Sequence, residues 1–159
     1  MERDQLRKIV AHILKEAKAP GTTHERLRSE LAAWAEKQGY LRVYQHFANG
    51  AIPDVLRSTQ DDSHLFVGDA KDASNETPDN AETLQRIWTY VKEFAGLLGD
   101  PRYKGGTIAI ATNSAQAASQ WVLALNLLAR MAKITGPNGS APAFRIEEIQ
   151  TGKTWVVHW

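Results

Sequence analysis

The chain has 159 residues, 43% of them hydrophobic and 23% charged, and this composition suits one folded domain with a buried core. It excludes a disordered tail and a fibrous protein, and no apolar run reaches the roughly 18 residues that a membrane span needs. The first ten residues are charged and periodic, unlike a signal peptide, so we expect a cytoplasmic protein with no membrane partner. The absence of cysteine excludes disulfides, thiolate catalysis and cysteine-based zinc sites.

The net charge of +1 conceals an uneven distribution of charge along the chain. Residues 1–50 carry nine basic and six acidic side chains, a net of +3, and residues 101–159 carry six and two, a net of +4. Residues 51–100 carry four basic and ten acidic side chains, a net of −6. An acidic middle between basic flanks indicates either solvated loops or a site for a divalent cation, which selects carboxylate oxygens.

Hydrophobic periodicity and turn residues predict the element order α-α-β-β-β-α-β-α-β-β. The helices are predicted at residues 4–17, 23–38, 81–98 and 114–134. The strands are predicted at residues 40–48, 51–58, 64–72, 107–112, 144–150 and 154–159. Because no repeat or linker divides the chain, the sequence predicts a single mixed α/β domain over residues 1–159.

Two segments of the predicted β-meander bring carboxylates together. Asp69 and Lys71 are two residues apart on a strand, so both side chains leave the same face of the sheet. Opposed residues of an antiparallel hairpin have a constant sum of residue numbers, so a turn at Asp61-Asp62 sets Asp54 opposite Asp69. Opposed side chains share a face with Cβ atoms roughly 5 Å apart, and a slip of one residue would turn the two carboxylates apart.

Two carboxylates at this separation repel each other, and a divalent cation that binds both removes the conflict. Lys71, beside them, could stabilise charge on an attacking hydroxide or on a phosphate oxygen. A metal ion, two acids and a lysine form a site for hydrolysing phosphodiesters with water as the nucleophile. The alternative is a solvent-facing hairpin whose charges form surface ion pairs.

Pro53-Asp54 followed by Asp69-Ala70-Lys71, with a helix before and a helix–strand unit after, resembles the PD-(D/E)XK nuclease superfamily. The resemblance covers about residues 23–112 and implies a restriction-endonuclease-like αβββαβ core, a mixed sheet flanked by helices. An extra N-terminal helix, a C-terminal helix and a β-hairpin would be additions to that core. The resemblance also implies that Asp54, Asp69 and the main-chain carbonyl of Ala70 bind Mg²⁺ or Mn²⁺, and that Lys71 orients or activates the attacking water.

Many members of this superfamily add an acid from the helix before the meander, and Glu30 is the candidate for this further catalytic residue and metal ligand. Glu30 lies about 60° from the centre of the face that should pack on the sheet, whereas Glu25 and Glu36 lie on the far side. The alternative for Glu30 is an ion pair with Arg26. His24 lies on the other border of the same face, where it could contact phosphate, cap the site or serve a structural role.

One branch of the superfamily also carries a glutamine four residues before a tyrosine on the following helix. This chain has Gln85 five residues before Tyr90, and Arg86 at the four-residue spacing. Either side chain could contact a phosphate, or both could belong to a solvated helix face.

The five tryptophans divide into two groups. Trp34, Trp88 and Trp121 fall on predicted apolar helix faces, so we expect them in the core. Trp155 and Trp159 lie on the predicted C-terminal hairpin, where they could stack on bases or mark an interface.

The sequence therefore predicts a magnesium-dependent endodeoxyribonuclease that acts on double-stranded or branched DNA. The basic flanks would form a phosphate-facing rim, with candidates Arg26, Arg28, Arg42, Arg57, Lys92, Arg102 and Lys104. A homodimer or a larger nuclease complex could supply specificity to so short a chain. The alternatives are a catalytically inactive module of the same fold that binds nucleic acid or a protein partner, and an unrelated α/β domain.

Overall fold

The computed structural model describes residues 3–5, 7, 23–135, 139, 142–150 and 152–159. The described residues form an α/β fold with helices on both faces of a mixed six-stranded sheet. The helices are α1 (Thr23–Lys37), α2 (Ala81–Leu98) and α3 (Ala115–Met131). The strands are β1 (Arg42–Val43), β2 (Val55–Ser58), β3 (His64–Lys71), β4 (Gly105–Thr112), β5 (Arg145–Gln150) and β6 (Thr154–His158). Within these residues, no helix combines the length and the apolar character that crossing a membrane requires.

The sheet has the strand order β1-β2-β3-β4-β6-β5. β3 and β4 pair in parallel, and α2 provides the crossover between them, whereas the other neighbouring strands pair antiparallel. The two central strands, β3 and β4, are eight residues long and almost entirely buried. This burial explains why β4 has a continuous apolar sequence rather than an alternating one.

The two faces of the sheet are covered by different helices. On one face, α1 contributes Leu27, Leu31 and Trp34, whose helical spacing forms an apolar stripe against Phe66 of β3. The other face packs on α2 and α3, which contribute a core of apolar side chains around Trp121. Trp34 and Trp121 are buried as predicted, and Trp88 is partly buried against the same core.

Polar caps and turn residues place several boundaries where the sequence predicts them. The side chain of Asn80 accepts a hydrogen bond from the amide of Thr83, and α2 covers the predicted residues 81–98. Ser114 caps α3 in the same way through the amide of Ala117. The predicted end of this helix at residue 134 is wrong, because α3 ends at Met131 and Lys133 adopts a φ of 59° outside the helical region.

The first two predicted strands are shorter than expected. The strand predicted over residues 40–48 is reduced to the two residues of β1. Further along this segment, the amide of Phe47 donates a hydrogen bond to the carbonyl of Ala51 across a turn, so it does not pair with the neighbouring strand. β2 begins at Val55 rather than at residue 51, and Pro53 in this segment has no N–H to donate. The Asn49-Gly50 turn is present, with Gly50 at a φ of 88°.

Some predictions concern residues outside the described part of the chain. Residues 3–5 and 7 are helical, and the remainder of the helix predicted at residues 4–17 lies outside the described residues. The same holds for residues 136–138 of the predicted loop and for Thr151 in the C-terminal turn.

Candidate functional site

The β2–β3 hairpin has the register predicted from the sequence. Val55 stands opposite Gly68, and the chain reverses at Asp62, which has a φ of 56°. One residue beyond the ladder, the main-chain amide of Asp54 donates to Oδ1 of Asp69 at 2.9 Å. The amide of Ala70 donates in turn to Oδ2 of Asp54 at 2.8 Å. The carboxylates of Asp54 and Asp69 are therefore held together at the end of the hairpin, each by the backbone of the opposite segment.

Asp69 and Lys71 lie on the sheet face that α2 and α3 cover. Their strand alternates, with Phe66 and Ala70 in the cluster under α1 and Val67 in the core on the other side. Lys71 Nζ forms an ion pair with Oδ2 of Asp69, and both residues are buried, with 2% and 4% of their surface exposed. The two charges are thus removed from solvent, which distinguishes them from a surface ion pair.

The hairpin ladder places the main-chain carbonyl of Ala70 on the side of β3 that faces the segment before β2. The amide of Thr59 donates a hydrogen bond to the carbonyl of His64 at 3.0 Å, so these two opposed residues form a hydrogen-bonded pair. In an antiparallel hairpin every second opposed pair is hydrogen-bonded in this way. By this alternation residue 53 should donate to Ala70, but Pro53 has no N–H. The ladder therefore supplies no donor from residue 53 to the Ala70 carbonyl.

A cleft of about 320 Å³ surrounds the acid pair, and we call it the acid cleft. Its described lining comes from α1, β3, α2 and the loops between them: His24, Ile52, Asp54, Asp69, Lys71, Glu76, Arg86 and Tyr90. Tyr90 closes one side, where its hydroxyl donates to the carbonyl of Ile52 at 3.0 Å. The structure thus combines side chains from four separate segments in one cleft.

The two carboxylates of the acid cleft have pKa values shifted in opposite directions. Burial raises the pKa of Asp69 to about 7, because the ion pair with Lys71 offsets it only in part and the charge of Asp54 adds to it. Burial also acts on Asp54, but hydrogen bonds from His24, Asp69 and the Ala70 amide lower the pKa of Asp54 to about 2. Asp54 therefore loses its proton at a lower pH than Asp69 does.

Glu30 is not among the residues that line the acid cleft. Its Oε1 accepts a hydrogen bond from Arg26 Nη1 at 3.2 Å, and the same nitrogen donates to Thr154 Oγ1 of β6 at 3.0 Å. The structure thus contains the ion pair that was the alternative for Glu30. The α1 residue that reaches the acid pair is His24, whose Nε2 lies 3.2 Å from Oδ2 of Asp54. This hydrogen bond raises the pKa of His24, against the opposing effect of burial.

Two residues of the second helix and its preceding loop also belong to the cleft. Glu76, which no sequence motif predicts as a site residue, has Oε2 3.4 Å from Lys71 Nζ, and its Oε1 accepts a hydrogen bond from the amide of Asp72 at 3.2 Å. The sequence indicates this residue only as an acid shortly after the Asp69-Ala70-Lys71 segment. The same loop contains other acids, so the sequence does not distinguish Glu76 from them. Arg86 lines the cleft at the four-residue spacing from Tyr90, and Gln85 does not.

Most side chains of the predicted basic rim form ion pairs with acidic residues outside the acid cleft. Arg28 pairs with Glu25, and Arg57 pairs with Glu36. Further cations of the predicted rim share the carboxylate of Asp62 at the far end of the hairpin: Arg42 and Arg102. Among the described residues, Arg86 has no side-chain hydrogen bond or ion pair, so it is the cation of the acid cleft that is available to a ligand.

The described residues contain no group of three or more histidine, aspartate or glutamate side chains arranged to hold a metal ion. The carboxylates that line the acid cleft are those of Asp54, Asp69 and Glu76. This set fits Mg²⁺, because Mg²⁺ commonly takes one or two carboxylates from the protein and completes its octahedron with water and phosphate oxygens.

The chain matches no protein-family model, and it has no significant similarity to a curated protein or to a solved structure. Functional conclusions therefore depend on the sequence and the structure of the chain itself. The geometry of the acid cleft brings Asp54, Asp69, Lys71 and the backbone of Ala70 together and adds His24 to them.

Proposed function

We propose that this chain is a metal-dependent nuclease that hydrolyses DNA phosphodiester bonds with water activated at Asp54, Asp69 and Lys71. The observation that carries the proposal is the burial of these groups together at the wall of a cleft. Burying an ion pair costs stability, so a fold that retains one in a cleft does so at the expense of a more stable apolar packing. Buried carboxylates with perturbed pKa values in a cleft are typical of functional sites.

The order of the elements supports the same proposal. The sequence α1-β1-β2-β3-α2-β4 follows the αβββαβ order that the PD-(D/E)XK resemblance implies. The acid pair lies at the end of the second and third strands of this unit, and the lysine lies on the third. We therefore infer a restriction-endonuclease-like core, with α3 and the β5–β6 hairpin as additions.

Mg²⁺ or Mn²⁺ would be held by the carboxylates of Asp54 and Asp69 and by the main-chain carbonyl of Ala70. When bound, the ion would supply Lewis acidity to the scissile phosphate and to the attacking water. Glu30 points its Oε1 to Arg26, so we assign the third ligand to the carbonyl rather than to this side chain.

The protein's own residues would position the reactants. Lys71 Nζ, held by Asp69 and Glu76, would donate a hydrogen bond to the attacking water or to the phosphate. Arg86 in the lining of the cleft would bind a neighbouring phosphate oxygen. The water oxygen would then form a bond to phosphorus and release a proton to the solvent, while the bond to the leaving sugar oxygen breaks and that oxygen takes up a proton from the solvent.

Double-stranded or branched DNA is the proposed substrate, and the proposed setting is cytoplasmic. Assembly as a homodimer or within a larger nuclease complex also stays a proposal. A dimer would present two acid clefts, one for each strand of a duplex.

The test is a nicking assay on supercoiled plasmid and on branched DNA, with Mg²⁺, Mn²⁺ or EDTA. We expect cleavage that EDTA abolishes and that Asp54→Ala or Lys71→Met lowers by at least about 100-fold. Asp61→Ala and Lys153→Ala remove exposed charges outside the acid cleft and should leave the rate unchanged. Circular dichroism verifies that each variant is folded.

Cleavage that survives EDTA, or that persists in the Asp54 and Lys71 variants, would disprove the nuclease mechanism. Binding of Mn²⁺ or DNA by the wild-type chain without any turnover would instead favour the catalytically inactive module.

A further inference from the structure

A second cleft, of about 780 Å³, lies at the end of the sheet opposite the acid cleft, and we call it the basic cleft. It is bordered by His64 and Gly105, the first residues of β3 and β4, and by Trp159 after β6. Lys71 is the last of the eight residues of β3, so roughly 23 Å of strand separates the two clefts. A volume of this size is typical of sites for small-molecule ligands.

The basic side chains in the described lining of the basic cleft are those of two lysines and one histidine. They are His64, Lys104 and Lys133, and the described lining includes no aspartate or glutamate. Lys104 and Lys133 are exposed and have no acidic partner among the described residues. The ring of His64 uses Nδ1 to contact Ser63 Oγ at 2.9 Å, which leaves Nε2 for a ligand. Together these groups favour an anion, and phosphate is an anion that lysine binds as a point charge.

Trp159 adds an aromatic surface to this cationic lining. Its indole is partly buried and meets the ring of Phe94 edge to face, with a centroid separation of 6.0 Å and an interplanar angle of 73°. This contact orients the indole, and Trp159 borders the cleft. A positioned aromatic ring beside cations is the combination on which nucleic acid bases stack while their phosphates are neutralised.

We propose that the basic cleft binds a nucleotide, with the phosphate at Lys104, Lys133 and His64 Nε2 and the base stacked on Trp159. The site does not depend on the proposed nuclease chemistry, because it shares no residue with the acid cleft. The nucleotide could be free in solution or could be one unit of a single strand, and these two sources present the same chemistry to the cleft.

The two sources are separated by calorimetric titration of the full chain in EDTA, which removes any contribution from bound metal. The probes are dAMP, an oligodeoxyadenylate of about 12 nucleotides, and inorganic phosphate. Binding of dAMP itself would indicate a site for free nucleotides. Binding of the oligonucleotide with no detectable binding of dAMP would indicate a unit of a strand.

Matched variants show whether binding uses the basic cleft. We expect the double variant Lys104→Gln/Lys133→Gln to weaken nucleotide binding by at least about tenfold. The control Lys37→Gln/Lys153→Gln removes the same charge from exposed positions outside the cleft and should change the Kd by less than about twofold. Trp159→Leu should weaken nucleotide binding by about tenfold, and Trp159→Phe should restore most of it.

The proposal is overturned if the wild-type chain binds neither nucleotide probe, or if both lysine double variants have the same effect. Equal affinity for inorganic phosphate and dAMP, with no effect of Trp159→Leu, would reduce the cleft to a site for anions and would also overturn it. Should Trp159→Leu fail to fold, Trp159→Phe and the lysine variants still decide the outcome.

Discussion

The main-chain amide of Asp54 donates a 2.9 Å hydrogen bond to the carboxylate of Asp69, across the open end of the β2–β3 hairpin. The reciprocal contact, from the Ala70 amide to Asp54, is 2.8 Å long. Because both donors are backbone groups, the orientation of the two carboxylates follows from the register of the hairpin. This pre-organisation would spare a bound substrate the cost of ordering the two acids.

The missing N–H of Pro53 should make the Ala70 carbonyl available as a metal ligand. In Pro53→Ala, the new amide would face that carbonyl and extend the ladder of β2, so we expect Mn²⁺ to bind about tenfold more weakly. Calorimetric titration measures the change, and Pro78→Ala in the loop before α2 is the control. An unchanged Mn²⁺ affinity in folded Pro53→Ala would show that the carbonyl is not a ligand.

His24, and not Glu30, should be the α1 residue that affects DNA cleavage. His24→Gln removes the contact to Asp54 at 3.2 Å, and we expect the cleavage rate to fall about tenfold. Glu30→Gln changes a side chain that contacts Arg26 and lies outside the acid cleft, so its rate should stay within about twofold of the wild type. The reverse order of the two effects in the nicking assay would restore Glu30 as the third acid.

Arg86 should contribute to DNA binding rather than to the chemical step. Arg86→Ala removes one phosphate contact, so we expect the KM for DNA to rise about tenfold and the salt dependence of binding to decrease by about one counterion. Gln85→Ala, one residue earlier on α2 and outside the cleft, is the matched control. A fall in kcat at constant KM would contradict this assignment.

The raised pKa of Asp69 should make the metal-free protein less stable as the pH rises. The folded protein binds this proton more tightly than the unfolded chain does, because the pKa in the fold is about 7 instead of the usual 3.8. The contribution of Asp69 to stability is therefore present below about pH 4 and is lost as the pH rises through about 7. Over this interval, urea unfolding in EDTA should show the free energy of unfolding of Asp69→Asn rising relative to that of the wild type.

Asp61→Asn provides the control for this titration. Hydrogen bonds from Ser63 and Thr59 lower the pKa of Asp61 to about 2, so its stabilising contribution is present above the usual pKa and is lost only as the pH falls towards that value. The stability difference between Asp61→Asn and the wild type should therefore stay constant from about pH 5 to about pH 8. A difference for Asp69→Asn that is equally constant would contradict the raised pKa.

Three glycines should respond differently to a methyl group. A Cβ on Gly68 would lie 2.8 Å from Leu31 Cδ2, so Gly68→Ala should lower the free energy of unfolding by about 1–3 kcal/mol. A Cβ on Gly106 would clash with the main-chain carbonyl of Leu65, which cannot move aside. Gly106→Ala should therefore lower the free energy of unfolding by more than Gly68→Ala does. Gly96 in α2 has open space, and Gly96→Ala should stabilise by about 0.5–1 kcal/mol. Thermal unfolding of the three variants tests this order.

Sequence alone was sufficient for the elements and contacts that depend on near neighbours. The residues of α2 follow from its periodicity, and the pairing across β2 and β3 follows from a turn at residues 61–62 and a period of two. The shared face of Asp69 and Lys71 is determined in the same way. These predictions hold because each rests on chain geometry over a few residues.

Contacts between distant segments were decided only by the tertiary structure. How α1 lies across the sheet depends on the approach of Leu31 to Gly68, and that placement brings His24 to Asp54 while Glu30 pairs with Arg26. The basic cleft likewise assembles residues from four separate segments of the chain. Local patterns specify which face a side chain occupies, but the packing of whole helices on the sheet determines which of those side chains meet.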